Sequence, residues 1–444
     1  MIAGRDRLAS TETRDIALAC VEAGIEACYP RTVLDDAVSL DGETLRVDGG
    51  EYDLRAFEEV VVVGGGNAAA HVAVALESTL GDRIDGGVVV TDDPAETDRV
   101  TVREGDHPVP SERGVEGGRA VLGAVDAADE STLVLAAITG GGSALLPAPA
   151  GDVSLSDLRS VTDALLDSGA DIGEINAVRK HLSALKGGRL ARRAAPATVV
   201  GIVLSDVVGN DLSVVASGPT APDRSTFAEA LDVLTRYGVD APAAVTDRLK
   251  RGAAGGIDET PGSDDAAFDR VTAHVVADGT TPLDAARAVA AERGYDPLVL
   301  SARVRGEARE AAKTHVAMAE EALATGDPVD PPAVLLSGGE TTVTVRGDGE
   351  GGPNQEFAVS AALELAGGDA GGEVAVAAVD TDGIDGATDA AGALVDAATV
   401  DDPSAARDAL AANDVYPYLD ERGALLLSGP TGTNLNDLRA LVVE

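Results

Sequence analysis

Asp206 follows the apolar run Val199–Leu204 and opens the segment Ser205–Asp211 (SDVVGND). A carboxylate at the carboxyl end of a buried strand sits where open α/β sheets bind ligands. Ionised there, it is costly unless it serves a cation or a reacting hydroxyl. Asp206 is therefore a candidate general base or metal ligand, the plain alternative being an N-cap for the next turn. A second acidic group, Asp380, Asp382 and Asp385, follows the apolar run Val374–Val379. It does not fit an EF-hand, because Gly383 is fourth from Asp380 and no Glu closes the loop. Magnesium or catalysis suits these acids better than calcium. Asp389, just beyond them, reads as a cap or a surface charge.

The same pattern, an apolar run ending in Gly, Ser and Asp, occurs five times: Val60–Gly66, Leu133–Ser143, Val199–Asp211, Ala333–Glu340 and Val374–Gly386. Each run reads as a buried parallel strand. Glycine just past a strand lets backbone N–H groups approach a phosphate. Gly64-Gly65-Gly66-Asn67-Ala68-Ala69 fits G-x-G-x-x-A, and a later strand ends in Asp92-Asp93. That outlines a dinucleotide fingerprint, with the acids later than the usual spacing of about 20 residues. Thr139-Gly140-Gly141-Gly142-Ser143 lacks the ending of a P-loop and the pattern of a nucleophile elbow, which leaves an anion cradle with a hydroxyl, or a plain turn. The five histidines show no metal-ligand spacing, which argues against zinc.

These loops need a scaffold. Strands alternate with helical stretches throughout, the signature of βαβ units. Expected strands include 60–63, 86–91, 132–138 and 198–204. The Gly- and acid-rich Gly252–Asp265 reads as a domain boundary. Past it we expect strands 271–277, 297–301, 333–337, 374–379 and 424–427, a hairpin over 341–352 and a helix over 388–399.

The chain has 444 residues, a net charge of −42, only four lysines, and abundant Ala and Gly with no Trp. Together these resemble a protein from a salt-loving cytoplasm, where salt screens self-repulsion. The charge argues against nucleic acid or an anionic membrane as partner. Cys20 and Cys28 are too far apart on one helix for a disulfide, so a reducing cytosol fits. No apolar leader opens the chain and no run is long enough to span a bilayer, so a cytoplasmic location is expected.

Taken in order, the segments resemble one family, the glycerate 2-kinases whose C-terminal half is called a MOFRL domain. The resemblance rests on Asp106–Pro110 (DHPVP), Gly140–Leu145 (GGGSAL), Ile175–Leu190 (INAVRKHLSALKGGRL), Ser205–Thr220 (SDVVGNDLSVVASGPT), Gly306–Glu310 (GEARE), Ser337–Val345 (SGGETTVTV), Asn354–Phe357 (NQEF), Asp380–Ala391 (DTDGIDGATDAA) and Ser428–Asp437 (SGPTGTNLND). It implies transfer of the ATP γ-phosphoryl group to the 2-hydroxyl of D-glycerate, with a divalent metal such as Mg²⁺. It also implies an α/β fold: a doubly wound, Rossmann-like N-terminal domain (1–260), a smaller α/β MOFRL domain (266–444), and an active-site cleft between them. A small-molecule substrate is the expected partner, with a homodimer as an option.

On this reading Asp206, Lys186 and Arg179 are the catalytic candidates. Gly64, Gly65, Gly66, Asn67, Gly140, Gly141, Gly142, Ser143, Gly339, Glu340, Asn354 and Glu356 are nucleotide- or substrate-binding candidates, and Asp206, Asp380, Asp382 and Asp385 are metal candidates. Arg179, Lys180 and Lys186 form the one dense cationic stretch of an acidic chain, and Lys186 precedes Gly187-Gly188, which suits anion binding. Two positions depart from the family pattern: Asn67 stands where the family has lysine, and Pro353 where it has arginine. Other cations must take over, or the substrate differs, or the chain is a non-catalytic relic. An NAD(P)-dependent 2-hydroxy-acid (hydroxypyruvate) reductase is the alternative suggested by the first loop and Asp92.

Overall fold

The computed structural model describes residues 2–368 and 373–444. Its chain divides into two compact units, Val33–Val276 and the residues up to Thr32 together with Ala277–Glu444.

The first unit opens on a small antiparallel ribbon, β1 (Val38–Asp41), β2 (Thr44–Val47) and β3 (Gly50–Asp53). Its main sheet contains β4 (Glu59–Gly65), β5 (Gly86–Thr91), β6 (Thr101–Glu104), β7 (Thr132–Thr139), β8 (Thr198–Leu204) and β9 (Val271–Ala277), in the order β6-β5-β4-β7-β8-β9. Counted from β4, that order is 3-2-1-4-5-6, the doubly wound arrangement whose ligands bind where the order reverses. Here the reversal lies between β4 and β7, which pair in parallel from Glu59↔Thr132 to Gly65↔Ile138. Every residue of β7 is buried, as expected of a parallel strand covered on both faces.

The second unit holds β10 (Asp296–Glu307), β11 (Ala333–Thr342), β12 (Val374–Asp380), β13 (Gly392–Asp396), β14 (Leu425–Leu426) and β15 (Asp437–Val443), in the order β10-β11-β15-β12-β13-β14. Only β10 and β11 pair in parallel; β15 runs antiparallel to both β11 and β12. Leu441 and Val443 enter one core of this sheet, and Leu438, Ala440 and Val442 enter the other. Helix Glu12–Cys28 packs Ile16, Val21 and Ile25 into that second core, so the start of the chain belongs to this unit.

Several sequence expectations change. The domain boundary is not a single cut near 260: β9, expected to open the second domain, completes the first sheet, and the N-terminal helix joins the other unit. The apolar face of that helix is what sends it there. The stretch expected as helix 388–399 contains strand β13; its alanines favour helix, but pairing with β12 wins. The hairpin over 341–352 does not form, since β11 ends at Thr342 and no strand follows before the helix Pro353–Gly367. β6 and β15 were not anticipated. Among the described residues, no helix is long and apolar enough to cross a membrane.

Candidate active site

At the reversal point the first two glycine loops are stitched to each other. Gly66 adopts φ 143° beside Thr139, where a Cβ would collide with the threonine hydroxyl. The N–H of Asn67 donates to the Gly140 carbonyl at 2.8 Å, and that of Ala68 to Thr139 Oγ1 at 3.2 Å. Gly66 N–H donates to Val90 O and Ala69 N–H to Gly66 O. The amides expected to cradle a phosphate in the loop Gly64–Asn67 are therefore taken up inside the protein. Gly64, Gly65 and Gly66 serve close strand packing, each where a Cβ would collide with a neighbour. Asn67 Nδ2 donates to both oxygens of Asp92, at 3.0 and 2.9 Å. Its Oδ1 is buried without a hydrogen-bond partner against Gly141.

The second loop leads through Gly141 (φ 73°) into the short helix Gly142–Leu145. Gly140 leaves room for Asp206: a Cβ on it would lie 2.6 Å from Asp206 Oδ2. Burial pushes the Asp206 carboxyl above its usual range. Ser143 Oγ meets Ser217 Oγ at 2.8 Å, and Ser217 Oγ donates to Asn176 Oδ1 at 3.0 Å. Sequence reasoning did not single out Ser217 or Asn176, because a serine and an asparagine inside longer motifs carry no local mark.

Gly141, Ser143, Lys186 and Arg179 line one cavity of about 370 Å³. Helix Ile172–His181 carries Arg179, and the turn Gly187-Gly188 (φ 58° and 75°) sets Lys186. That turn is held by donation from Gly187 N–H to Ser217 O at 3.0 Å and from Gly188 N–H to Gly218 O at 2.7 Å. Lys186 is 5% exposed, and its Nζ donates only to the Leu146 carbonyl at 3.2 Å. Burial, with the nearby Arg179 charge, pushes its ammonium down to about 7. Burial also lowers Arg179. Neither cation has an ion-pair partner among the described residues. Lys180, by contrast, is spent on Asp223 at 3.1 Å.

In the second unit, Asp380 and Asp382 follow β12. Burial and then the neighbouring Asp382 charge hold Asp380 well above the usual carboxylate range. Burial pushes Asp382 up to about 6. Asp385 has a different task. Its oxygens accept from the Asn354 and Gln355 amides at 2.9 and 2.8 Å, so it caps the helix Pro353–Gly367. The carboxyl expected among the metal ligands thus has both oxygens accepting from the helix N-terminus. Asn354 Nδ2 donates to Asp437 Oδ1 at 2.7 Å, and Asp437 also pairs with the fully buried Arg439. Glu356 is braced by Arg309 and Asn413, at 2.6 and 2.7 Å. Asn354 and Glu356 are therefore held in structural contacts. Gly339 lies where β11 closely approaches Val304 of β10, and Glu340 is exposed. Asp206 lies in the first unit, apart in the chain from Asp380 and Asp382. Among the described residues, no three acidic, histidine or cysteine side chains converge as a metal cluster.

Residues 16–250 match a family described as a domain of unknown function, DUF4147, and residues 333–437 match the MOFRL family. The D-glycerate 2-kinase of Thermotoga maritima is 40% identical over 96% of this chain and 97% of its own length. The chain belongs to the glycerate 2-kinase family. The crystal structure of the Thermotoga maritima glycerate kinase superposes with a TM-score of 0.84 at 38% identity, covering 97% of this chain and 99% of that one. An Agrobacterium vitis relative, 43% identical over 86% of this chain and 87% of its own, carries a provisional hydroxypyruvate reductase name. The two-unit α/β architecture is thus that of the glycerate kinases, and the chain is an enzyme of that family.

Proposed function

We propose that this glycerate 2-kinase family member transfers the γ-phosphoryl group of ATP to the 2-hydroxyl of D-glycerate, releasing ADP and 2-phosphoglycerate. The observation that carries the reading is the pair Lys186, buried, and Arg179, half-buried, neither in a salt bridge among the described residues, lining a cavity beside the strand reversal in a chain of net charge −42. Unpaired cations in such a place call for an anionic ligand. In the transfer, the 2-hydroxyl oxygen bonds to the γ-phosphorus as the bond to the β-phosphate oxygen breaks. Lys186 and Arg179 stabilise charge on the phosphate oxygens. Asp206, whose raised affinity for protons suits a base, takes the hydroxyl proton.

Mg²⁺ fits Asp380 and Asp382, two half-buried carboxylates whose charge a cation would relieve, since Mg²⁺ takes one or two carboxylates plus phosphates and water. A cytosolic enzyme working in molar salt, without nucleic-acid partners, suits the acidic composition. Purified protein in molar KCl with D-glycerate, ATP and Mg²⁺ is expected to yield 2-phosphoglycerate, identified by phosphorus NMR. Exclusive 3-phosphoglycerate, or no ATP consumption, would count against the proposal.

The reductase reading lacks support at its own residue. Asp92, the carboxylate that would take the ribose, has both oxygens engaged by Asn67. The relic reading makes a different prediction from ours. If Asn67 marks a lost cation, Asn67→Lys should raise the rate steeply. We expect no gain beyond about threefold, because the new lysine would pair with Asp92. Steady-state kinetics of the variant decide between the two.

A further inference from the structure

Among the described residues, those other than glycine with left-handed backbone angles are Asp48, Asn210, Ala216, Ser217, Asn413 and Asn436. Aspartate and asparagine tolerate that region, because their short polar side chains bond the local backbone. Ala216 (φ 49°) and Ser217 (φ 61°) lack that help, and they stand in succession, followed by Gly218 at φ 62°. Such strain persists only where the surroundings fix it, and it gathers at functional sites. Glycine would sit at both positions without strain, so their side chains must have a use. The methyl of Ala216 packs on Gly142, where an added Cβ would lie 2.8 Å from it. The Ser217 hydroxyl joins Ser143 to Asn176. Ser217 is fully buried and stands behind the cavity wall rather than in it.

The backbone of the same turn reaches Lys186. The carbonyls of Ser217 and Gly218 accept from Gly187 and Gly188, the two residues after the lysine. Ser183 Oγ accepts from the Lys186 amide itself at 3.1 Å. Leaving the left-handed region would swing the two carbonyls away, since φ and ψ set where each peptide points. We propose that Ser217 is a positioning residue for phosphoryl transfer: its hydroxyl latches the left-handed turn to Ser143 and Asn176, and the latched turn holds Lys186 at the cavity. The inference rests on the phosphotransfer reading above for what Lys186 does. It adds a residue that touches no substrate and acts through that lysine.

The test compares Ser217→Ala, Ser217→Gly and Asn176→Ala in the full chain, in molar KCl. Alanine removes the latch and keeps the steric cost of φ 61°, so the turn is expected to leave the left-handed region. Glycine removes latch and cost together, so the turn is expected to hold. Hydrogen exchange on the peptide carrying Gly187 and Gly188 should quicken about tenfold or more in Ser217→Ala and stay within about threefold of the parent in Ser217→Gly. The kcat for D-glycerate should fall about tenfold with alanine, at nearly unchanged KM, and be largely regained with glycine. Asn176→Ala, which opens the latch from its other end, should lower kcat by about threefold or more. In a Lys186→Met background, Ser217→Ala should cost less than about twofold, because its effect runs through that lysine. Equal kcat losses with alanine and glycine, a full loss in the Lys186→Met background, or unchanged exchange in Ser217→Ala would each overturn the inference. If exchange responds as expected while the parent makes no 2-phosphoglycerate, Ser217 keeps its hold on Lys186 and the phosphotransfer reading falls.

Discussion

Replacing Lys186 by methionine is expected to lower kcat/KM for phosphoryl transfer by a factor on the order of 10² to 10³. Methionine keeps the length and apolar stem of lysine and removes the ammonium, whose N–H groups beyond the one given to the Leu146 carbonyl are open to a ligand. With no carboxylate to neutralise it, that charge is available to a transferring phosphate. A loss of less than about threefold would place the reacting phosphate elsewhere. The same substitution has a signature in stability. Burial lowers the Lys186 ammonium from 10.5 to about 7 in the folded protein. Between those values the unfolded chain binds the extra proton and the folded chain does not. Stability of the ligand-free protein should therefore rise from pH 7 towards 10.5, a penalty present in full below 7 being relieved on the way. Lys186→Met should lack that rise and be the more stable protein at pH 6, as read from urea midpoints across pH.

Asp385→Ala is expected to destabilise the second unit by about 2–5 kcal/mol, the sum of two buried helix amides left without acceptors and a lost cap. Asp385 is 1% exposed, and Gly352 lies so close that a Cβ there would collide with its carboxyl group, so water has little room to substitute. Scanning calorimetry should show the transition of this unit lowered by on the order of 10 °C. A change below about 1 kcal/mol would mean that the carboxylate is not needed as a cap and is free to serve a cation.

The parts of the fold that were legible are those where one physical signal dominates. The middles of β4, β7 and β8 are apolar and run into glycine or Ser-Asp, so burial on both faces shows in the letters. Ala-Ala-Gly-Ala at 390–393 reads as helix by propensity, while the deciding term is the antiparallel pairing of β13 with β12, which the local pattern does not show. β6 is polar and exposed, an edge strand with no apolar period. β15 follows a polar loop, and its seven residues alone do not distinguish strand from helix. Of the site, Lys186 was legible through rarity: lysine stands out in this chain. Asp206 was legible through its position after a buried run. Asp437 and Arg439 were not, since a fully buried arginine looks the same in sequence as a surface one. The first glycine loop is ambiguous in sequence for a related reason. Close packing against Thr139 and exposure to a phosphate demand the same glycines, and only the fate of the amides separates the two.

The central place of β15 between β11 and β12, with helix Glu12–Cys28 against the same sheet, bears on how the protein is made. On the ribosome, Val33–Val276 can fold as soon as it emerges. The second unit cannot close its sheet until residues 437–443 have left the exit tunnel, more than 400 residues after its first helix was synthesised. Through that interval the apolar face of the helix waits without its strands, which makes this unit the slower and more aggregation-prone half. A nonsense mutation that removes only the last strand should therefore cost the whole unit, although every glycine loop upstream is intact.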